Sequence, residues 1–149
     1  MPPIIYARET TIPVHEYIDL LKRSTLAERR PVDDIERVTG MLTHANLIIT
    51  ARQNGLLIGA NRSLTDFTYF CYCADLAVDK ALQGNGVGSA LLDKAREFLH
   101  AKAHTFLVSA PDAITFYEHI GLERLDRLFR VPSVNDMPNF SDLKKNSEL

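Results

Sequence analysis

The run Gln83-Gly84-Asn85-Gly86-Val87-Gly88 carries the clearest chemistry in the chain. It follows a β-type stretch that ends at Val78 and precedes a helical pattern. Glycines let a main chain approach a ligand closely, because no Cβ intervenes and left-handed torsions cost little. The first N–H groups of the following helix have no intrahelical partner, so they can point at a phosphate. The helix dipole adds about 0.3–1 kcal/mol for a negative charge at an exposed end. Strand, glycine-rich loop and helix start, in that order, make an anion site built from backbone.

Three phosphate loops compete for this segment. A P-loop needs Gly-x4-Gly-Lys-Ser/Thr, and no Lys follows any glycine here. A dinucleotide fingerprint needs Gly-x-Gly-x-x-Gly/Ala. Gly84 and Gly86 fit it, but the third position is Ser89, and no convincing ribose-binding acid follows. The third pattern, Gln/Arg-x-x-Gly-x-Gly/Ala, is met without a gap by Gln83, Gly86 and Gly88. Downstream, Ala113-Ile114-Thr115-Phe116-Tyr117-Glu118-His119-Ile120-Gly121-Leu122 reads as a helix that carries Phe-Tyr and ends in Gly plus an apolar residue. These two signatures, in this order, resemble those of the GCN5-related N-acetyltransferases, the GNAT superfamily. The resemblance covers roughly residues 3 to 130.

That resemblance implies an acyl-CoA N-acyltransferase that moves an acetyl group from acetyl-CoA to a primary amine by direct attack in a ternary complex. Acetyl-CoA is the implied co-substrate, with no metal. The pyrophosphate is expected on the backbone of Gln83, Gly84, Asn85, Gly86, Val87, Gly88 and Ser89; Gly88 can equally serve close packing of helix on sheet. Pantetheine resembles a short peptide and can bond to a free strand edge. In the family, the strand before the loop diverges from the next one, so Leu76, Ala77 and Val78 are expected to supply that edge. A backbone N–H there can also stabilise the oxyanion. Ser109 is assigned a polar contact to the cofactor, since many members carry an Asn where this chain has Ser109-Ala110-Pro111-Asp112.

Three residues are candidates for proton transfer. Tyr117 is the implied donor to the departing thiolate; a phenol ordinarily titrates near pH 10 and so stays protonated at neutral pH. Its alternative is an amphipathic core tyrosine. In the histone-acetylating branch a Glu on the fourth strand is the base, and Tyr72 stands at that position here. Asp75 is a nearby acid, as is Asp66, but strict strand alternation sets Asp75 on the opposite face from Tyr72. A water chain is the other option. The alternative reading of the whole chain is a non-catalytic CoA-binding module, a sensor or an assembly partner.

Composition narrows the class. The 149 residues suffice for one domain with a real core. A net charge of −2 argues against a general nucleic-acid or membrane binder. No run of 18 apolar residues occurs. The start MPPIIYARET lacks the basic and apolar regions of a signal peptide. Cys71 and Cys73 lie two apart on one strand face and cannot easily bridge each other. A reducing cytoplasm is the expected compartment. No metal site is read among His15, His44, His100, His104 and His119. Homodimers are common in the family.

The elements that position these residues follow from periodicity and turn chemistry. Ile4 to Arg8 reads as a strand and Val14 to Arg23 as a helix with Val14, Tyr17, Ile18 and Leu21 on one face. Ser24 to Arg30 reads as a polar linker, with Arg23, Arg29 and Arg30 as solvated charges. Pro31 suits a helix start, followed by the stripe Ile35, Val38, Met41 and Leu42. Asn46 to Arg52 and Leu56 to Arg62 are strands around Asn54-Gly55, a hairpin signal. Phe67 to Val78 reads as a long strand. Gly86 to Ala101 reads as a helix with Val87, Leu91, Ala95 and Phe98 inward. Thr105 to Ser109 reads as a short buried strand. Pro111 begins a helix that Gly121 ends, and Leu125 to Val131 reads as a last strand. This is the GNAT order, which implies an α+β fold with a mixed, largely antiparallel sheet and helices on both faces. Residues 1–131 form the expected domain and 132–149 a polar tail.

Overall fold

The computed structural model describes residues 2–137, 139 and 141. β1 (Ile4–Glu9), β2 (Leu47–Gln53), β3 (Leu56–Thr65), β4 (Phe70–Val78) and β5 (His104–Leu107) form one sheet in that order. The first four strands are antiparallel neighbours, and β5 runs parallel to β4. The mixed, largely antiparallel α+β architecture therefore holds. Asn54 and Gly55 turn the β2–β3 hairpin with φ of 51° and 79°, the positive pair that a type I′ turn requires.

Two layers of helix cover the two faces. α1 (Val14–Arg23) and α2 (Ile35–His44) cover one face; Tyr17, Leu20, Leu21, Val38 and Leu42 pack there on Ile48, Leu57, Ala60 and Ala77. α3 (Val87–Arg96) covers the other face with Val87, Leu91 and Ala95 on Leu47, Ile49, Ala51, Ile58 and Cys71. The alternation of β2 side chains explains the split: Ile48 points one way, while Leu47 and Ile49 point the other. α3 lies close on the sheet at Gly59. A Cβ there would meet Leu91 Cδ1 at 3.1 Å and Val87 Cγ1 at 3.2 Å.

Several boundaries depart from the sequence expectation. α2 begins at Ile35, not Pro31, because the Asp34 side chain caps it by accepting from the Arg37 N–H at 3.0 Å. Ile35 is left half exposed, whereas Val38 and Leu42 are buried. β4 begins at Phe70, not Phe67, because Asp66 Oδ1 accepts the N–H groups of Thr68, Tyr69 and Phe70 and bends the chain. α3 stops at Arg96, and the His100 N–H then bonds to the Phe67 carbonyl at 2.8 Å. Phe98 is not inward: it lies partly exposed beneath the Arg8 guanidinium. β5 is exposed rather than buried, since among the described residues it is an edge strand paired with β4 alone.

The chain divides into two compact units, Met1–Pro111 and Asp112–Leu149. The second holds α4 (Ile114–His119). Its end is a Schellman motif: Gly121 has φ of 90°, its N–H bonds to the Glu118 carbonyl, and the Leu122 N–H bonds to the Tyr117 carbonyl. The expected strand from Leu125 to Val131 does not form; those residues are irregular and mostly exposed. Of the expected tail, residues 138, 140 and 142–149 lie outside the described residues. Among the described residues, no helix is long and apolar enough to cross a membrane.

Candidate active site

β4 and β5 pair from Phe70 to Cys73 only. From Ala74 onward, no described strand covers that edge of β4. The register with β3 decides which groups face it. The Asp79 N–H donates to the Ile58 carbonyl at 2.8 Å, which flanks the pair Gly59–Val78. A pair flanked in this way does not bond to itself. The N–H and C=O of Val78 therefore point away from β3, and so, two residues back, do those of Leu76. Ala77 points its main chain toward β3 and buries its methyl under α1 and α2. The main chains of Leu76 and Val78 thus face the edge of β4 that no described strand covers.

That edge runs directly into the glycine-rich loop. Residues Lys80–Leu82 form a 3₁₀ turn whose start is capped by Asp79, with Oδ1 accepting from the Ala81 N–H at 3.0 Å. Gln83 Nε2 donates to the Val78 carbonyl at 3.1 Å and folds the loop against the strand end. Asn85 Nδ2 donates to the Leu82 carbonyl at 3.1 Å. Gly84 and Gly86 take φ of 84° and 81°, a region that costs residues with a Cβ about 1–2 kcal/mol. Gly86 is the N-cap of α3 and no side chain caps that end. The first intrahelical bond is from the Ala90 N–H to the Gly86 carbonyl. The N–H groups of Val87, Gly88 and Ser89 precede it and have no acceptor within the helix.

A one-residue bulge shapes β4 just before the open edge. Arg62 pairs with Asp75 and Ser63 with Cys73, so Ala74 is the extra residue. The bulge reverses the alternation. Tyr72 and Asp75 share the α1–α2 face, contrary to the strict-alternation expectation, while Cys73 turns to the α3 face beside Asn61. Tyr72 is more than a third exposed there, opposite Leu64 on one side and Phe106 on the other.

Asp75 is almost wholly buried. Arg30 Nε donates to its Oδ1 at 2.6 Å, Arg62 Nε to its Oδ2 at 2.6 Å, and the Tyr17 hydroxyl also donates to Oδ2. Arg30 Nη2 further donates to the Ala74 carbonyl at 2.9 Å. Burial pushes the Asp75 carboxyl up, but the Arg62 bond and charge, with Tyr17 and Arg30, hold it below the usual range. Burial and the Asp75 charge raise the Tyr17 phenol well above its ordinary value, which keeps it a donor. Both oxygens of Asp75 are thus engaged by charged or fixed donors. That arrangement suits a permanent counter-ion better than a proton acceptor.

The remaining candidates are placed as follows. The Ser109 hydroxyl, just beyond β5, donates to the Ala110 carbonyl at 2.7 Å. Tyr117 lies on α4 in the second unit, its ring edge-on to Phe116 with centroids 5.1 Å apart. Asp66 is spent on its turn, where the backbone N–H groups of Tyr69, Thr68 and Phe70 lower its pKa. Cys71 and Cys73 are free and buried; burial pushes the Cys73 thiol up to about 12, so it is no thiolate. Sequence reasoning missed Arg23, Arg30 and Arg62 as anchors. Asp75 inside an apolar strand was the available signal, because a buried acid requires partners. Which arginines would answer it was not legible from order alone.

A family model for the acetyltransferase (GNAT) domain matches residues 44–124, more than half of the chain. The chain belongs to the GNAT acetyltransferase superfamily. Solved structures with the same fold include a probable acetyltransferase from Staphylococcus aureus, 18% identical, with a TM-score of 0.68 over 88% of this chain and 100% of that one. A GNAT-family acetyltransferase from Streptococcus pneumoniae is 18% identical, with a TM-score of 0.64 over 88% of this chain and 98% of that one. An aminoglycoside acetyltransferase from an uncultured soil sample, solved with sisomicin, is 17% identical, with a TM-score of 0.63 over 87% and 97%. No match is found among curated proteins.

Proposed function

We propose that the chain transfers an acetyl group from acetyl-CoA to a primary amine by direct attack within a ternary complex. The observation that carries this reading is the edge of β4, open at the Leu76 main chain and the Val78 N–H, leading into the uncapped start of α3. One stretch of backbone thereby offers peptide-like bonding to pantetheine and N–H groups to the pyrophosphate. Gln83 to Ser89 hold the phosphates, and Ser109 adds a polar contact. The N–H groups on the open edge are assigned the stabilisation of charge that develops on the thioester carbonyl oxygen.

The amine nitrogen attacks the carbonyl carbon, the C–N bond forms, and the C–S bond breaks. CoA leaves as a thiolate that Tyr117 protonates; the amine's excess proton passes to water, and the Tyr117 phenolate regains a proton from water. Asp75 is assigned structural duty, so the Tyr72 hydroxyl, more than a third exposed on the same face, is the group proposed to orient that water. The free Cys71 and Cys73 are consistent with a reducing compartment, and the cytoplasm is the proposed one.

The test is acetyl-CoA turnover across a panel of primary amines, from amino sugars to polyamines and peptide N-termini, with release of the free thiol measured. Amine-dependent thiol release supports the proposal. Acetyl-CoA binding with no release for any amine would make the chain a CoA-binding module instead.

A further inference from the structure

Arg23 closes α1 and reaches across to the strand–loop junction. Its Nη1 donates to Asp79 Oδ2 at 2.5 Å, its Nη2 to the Leu57 carbonyl at 2.7 Å, and its Nε to Asp19 Oδ2 at 3.0 Å. Asp79 is the residue on which the phosphate loop pivots. Its N–H bonds to Ile58 of β3, its carbonyl accepts from the Leu82 N–H at 2.8 Å, and its Oδ1 caps Ala81. Main chain and side chain are thus both engaged, and among the described residues the Arg23 bond is the one side-chain tie from Asp79 to α1 or the sheet. The Asp79 side chain is only 16% exposed, so the pair is less screened than a surface ion pair.

We infer that Arg23 is a positioning residue for acetyl-CoA, acting through Asp79 to hold the Lys80–Ser89 segment in its phosphate-binding form. The inference rests on the proposal that this loop takes the pyrophosphate. The sequence offered Arg23 only as one charge of a solvated cluster. In the fold it fixes the carboxylate whose two oxygens clamp α1 on one side and the loop's first turn on the other. Backbone N–H groups bind an anion best when already aimed, since ordering a loop on binding is subtracted from affinity. Loosening Asp79 frees the 3₁₀ turn and, through Gln83 and Asn85, the segment up to Gly86.

Two measurements on full-length Arg23→Met and Asp79→Asn test this. Asp79→Asn keeps side-chain size, the oxygen that caps Ala81, and Arg23's bonds to Leu57 and Asp19. It therefore separates the loop tie from the docking of α1, and it decides the matter if Arg23→Met does not fold. Without ligand, hydrogen exchange at the Ala81 and Leu82 amides should quicken about tenfold in both variants, with α1 amides unchanged in Asp79→Asn. By calorimetry, the acetyl-CoA dissociation constant should rise about tenfold, or about 1.4 kcal/mol, and the double variant should lose no more than the larger single loss. Exchange and affinity that match wild type in Asp79→Asn would overturn the inference alone. A wild-type protein that binds no acetyl-CoA would overturn the proposed function, and the positioning role with it, whatever the exchange rates show.

Discussion

Asp75→Asn isolates the buried ionic cluster with the smallest change in shape. The substitution removes one negative charge and replaces one acceptor oxygen by a donor. Arg62, with a side chain 10% exposed, and Arg30, 24% exposed, would then face an amide with no compensating charge. Removing one partner of a buried ion pair costs about 3–5 kcal/mol, because the other charge stays desolvated. Arg30 can swing toward water, so the lower end, about 3 kcal/mol, is expected. For a chain of this size each kcal/mol moves Tm by about 2–4 °C, which gives a fall of about 6–12 °C. Domains are stable by about 5–15 kcal/mol, so the variant should still fold. Urea denaturation followed by circular dichroism reads the difference directly, with Arg62→Met as the reciprocal variant and the double variant closing the cycle. A loss under about 1 kcal/mol with an unchanged m-value would show that Asp75 is not the counter-ion described. If stability held while turnover collapsed, Asp75 would regain the role of catalytic base.

Four further outcomes are expected. Because the folded-state pKa of Asp75 is depressed, its contribution is fully present above the unfolded value of about 3.9 and is lost as pH falls through the folded value. The Tm gap between wild type and Asp75→Asn should therefore narrow below about pH 4, and a gap constant from pH 7 to pH 2 would contradict this. Gly59→Ala should destabilise by about 1–3 kcal/mol, since its Cβ would press on Leu91 and Val87; an unchanged melting curve would show that α3 yields freely. Acetyl-CoA at 100 times its dissociation constant should add about 2.7 kcal/mol of stability to wild type. Gly86→Val, whose φ of 81° suits no β-branched residue, should abolish that gain, and a full shift in the variant would clear the loop of the role. Tyr117→Phe should preserve acetyl-CoA binding and lower kcat on the order of 10²-fold; wild-type kcat from pH 6 to 9 would make Tyr117 a packing residue.

Local chemistry made much of this protein legible in its sequence. Val14–Arg23 matched its helix to the residue because apolar spacing of three and four reports a buried face directly. Asn54-Gly55 announced the β2–β3 hairpin, and Gly121 announced the end of α4, because few residues adopt positive φ. The glycine pattern from Gln83 to Gly88 marked the turn into α3, where Gly84 and Gly86 take positive φ. In each case the signal and its cause lie within a few residues of one another.

What tertiary structure alone decided depends on partners distant in the chain. The bulge at Ala74 exists only against β3, and it alone sets Tyr72 and Asp75 on one face. β5 read as buried from its apolar residues, yet an edge strand with one neighbour among the described residues leaves Phe106 nearly half exposed. Leu125–Val131 has the composition of a strand, but composition cannot supply a strand to pair with. Arg23, Arg30 and Arg62 looked alike as charges. Asp79 and Asp75 selected among them, because a long arginine side chain commits to whichever buried acceptor the fold brings within reach, 56, 45 and 13 residues away in sequence.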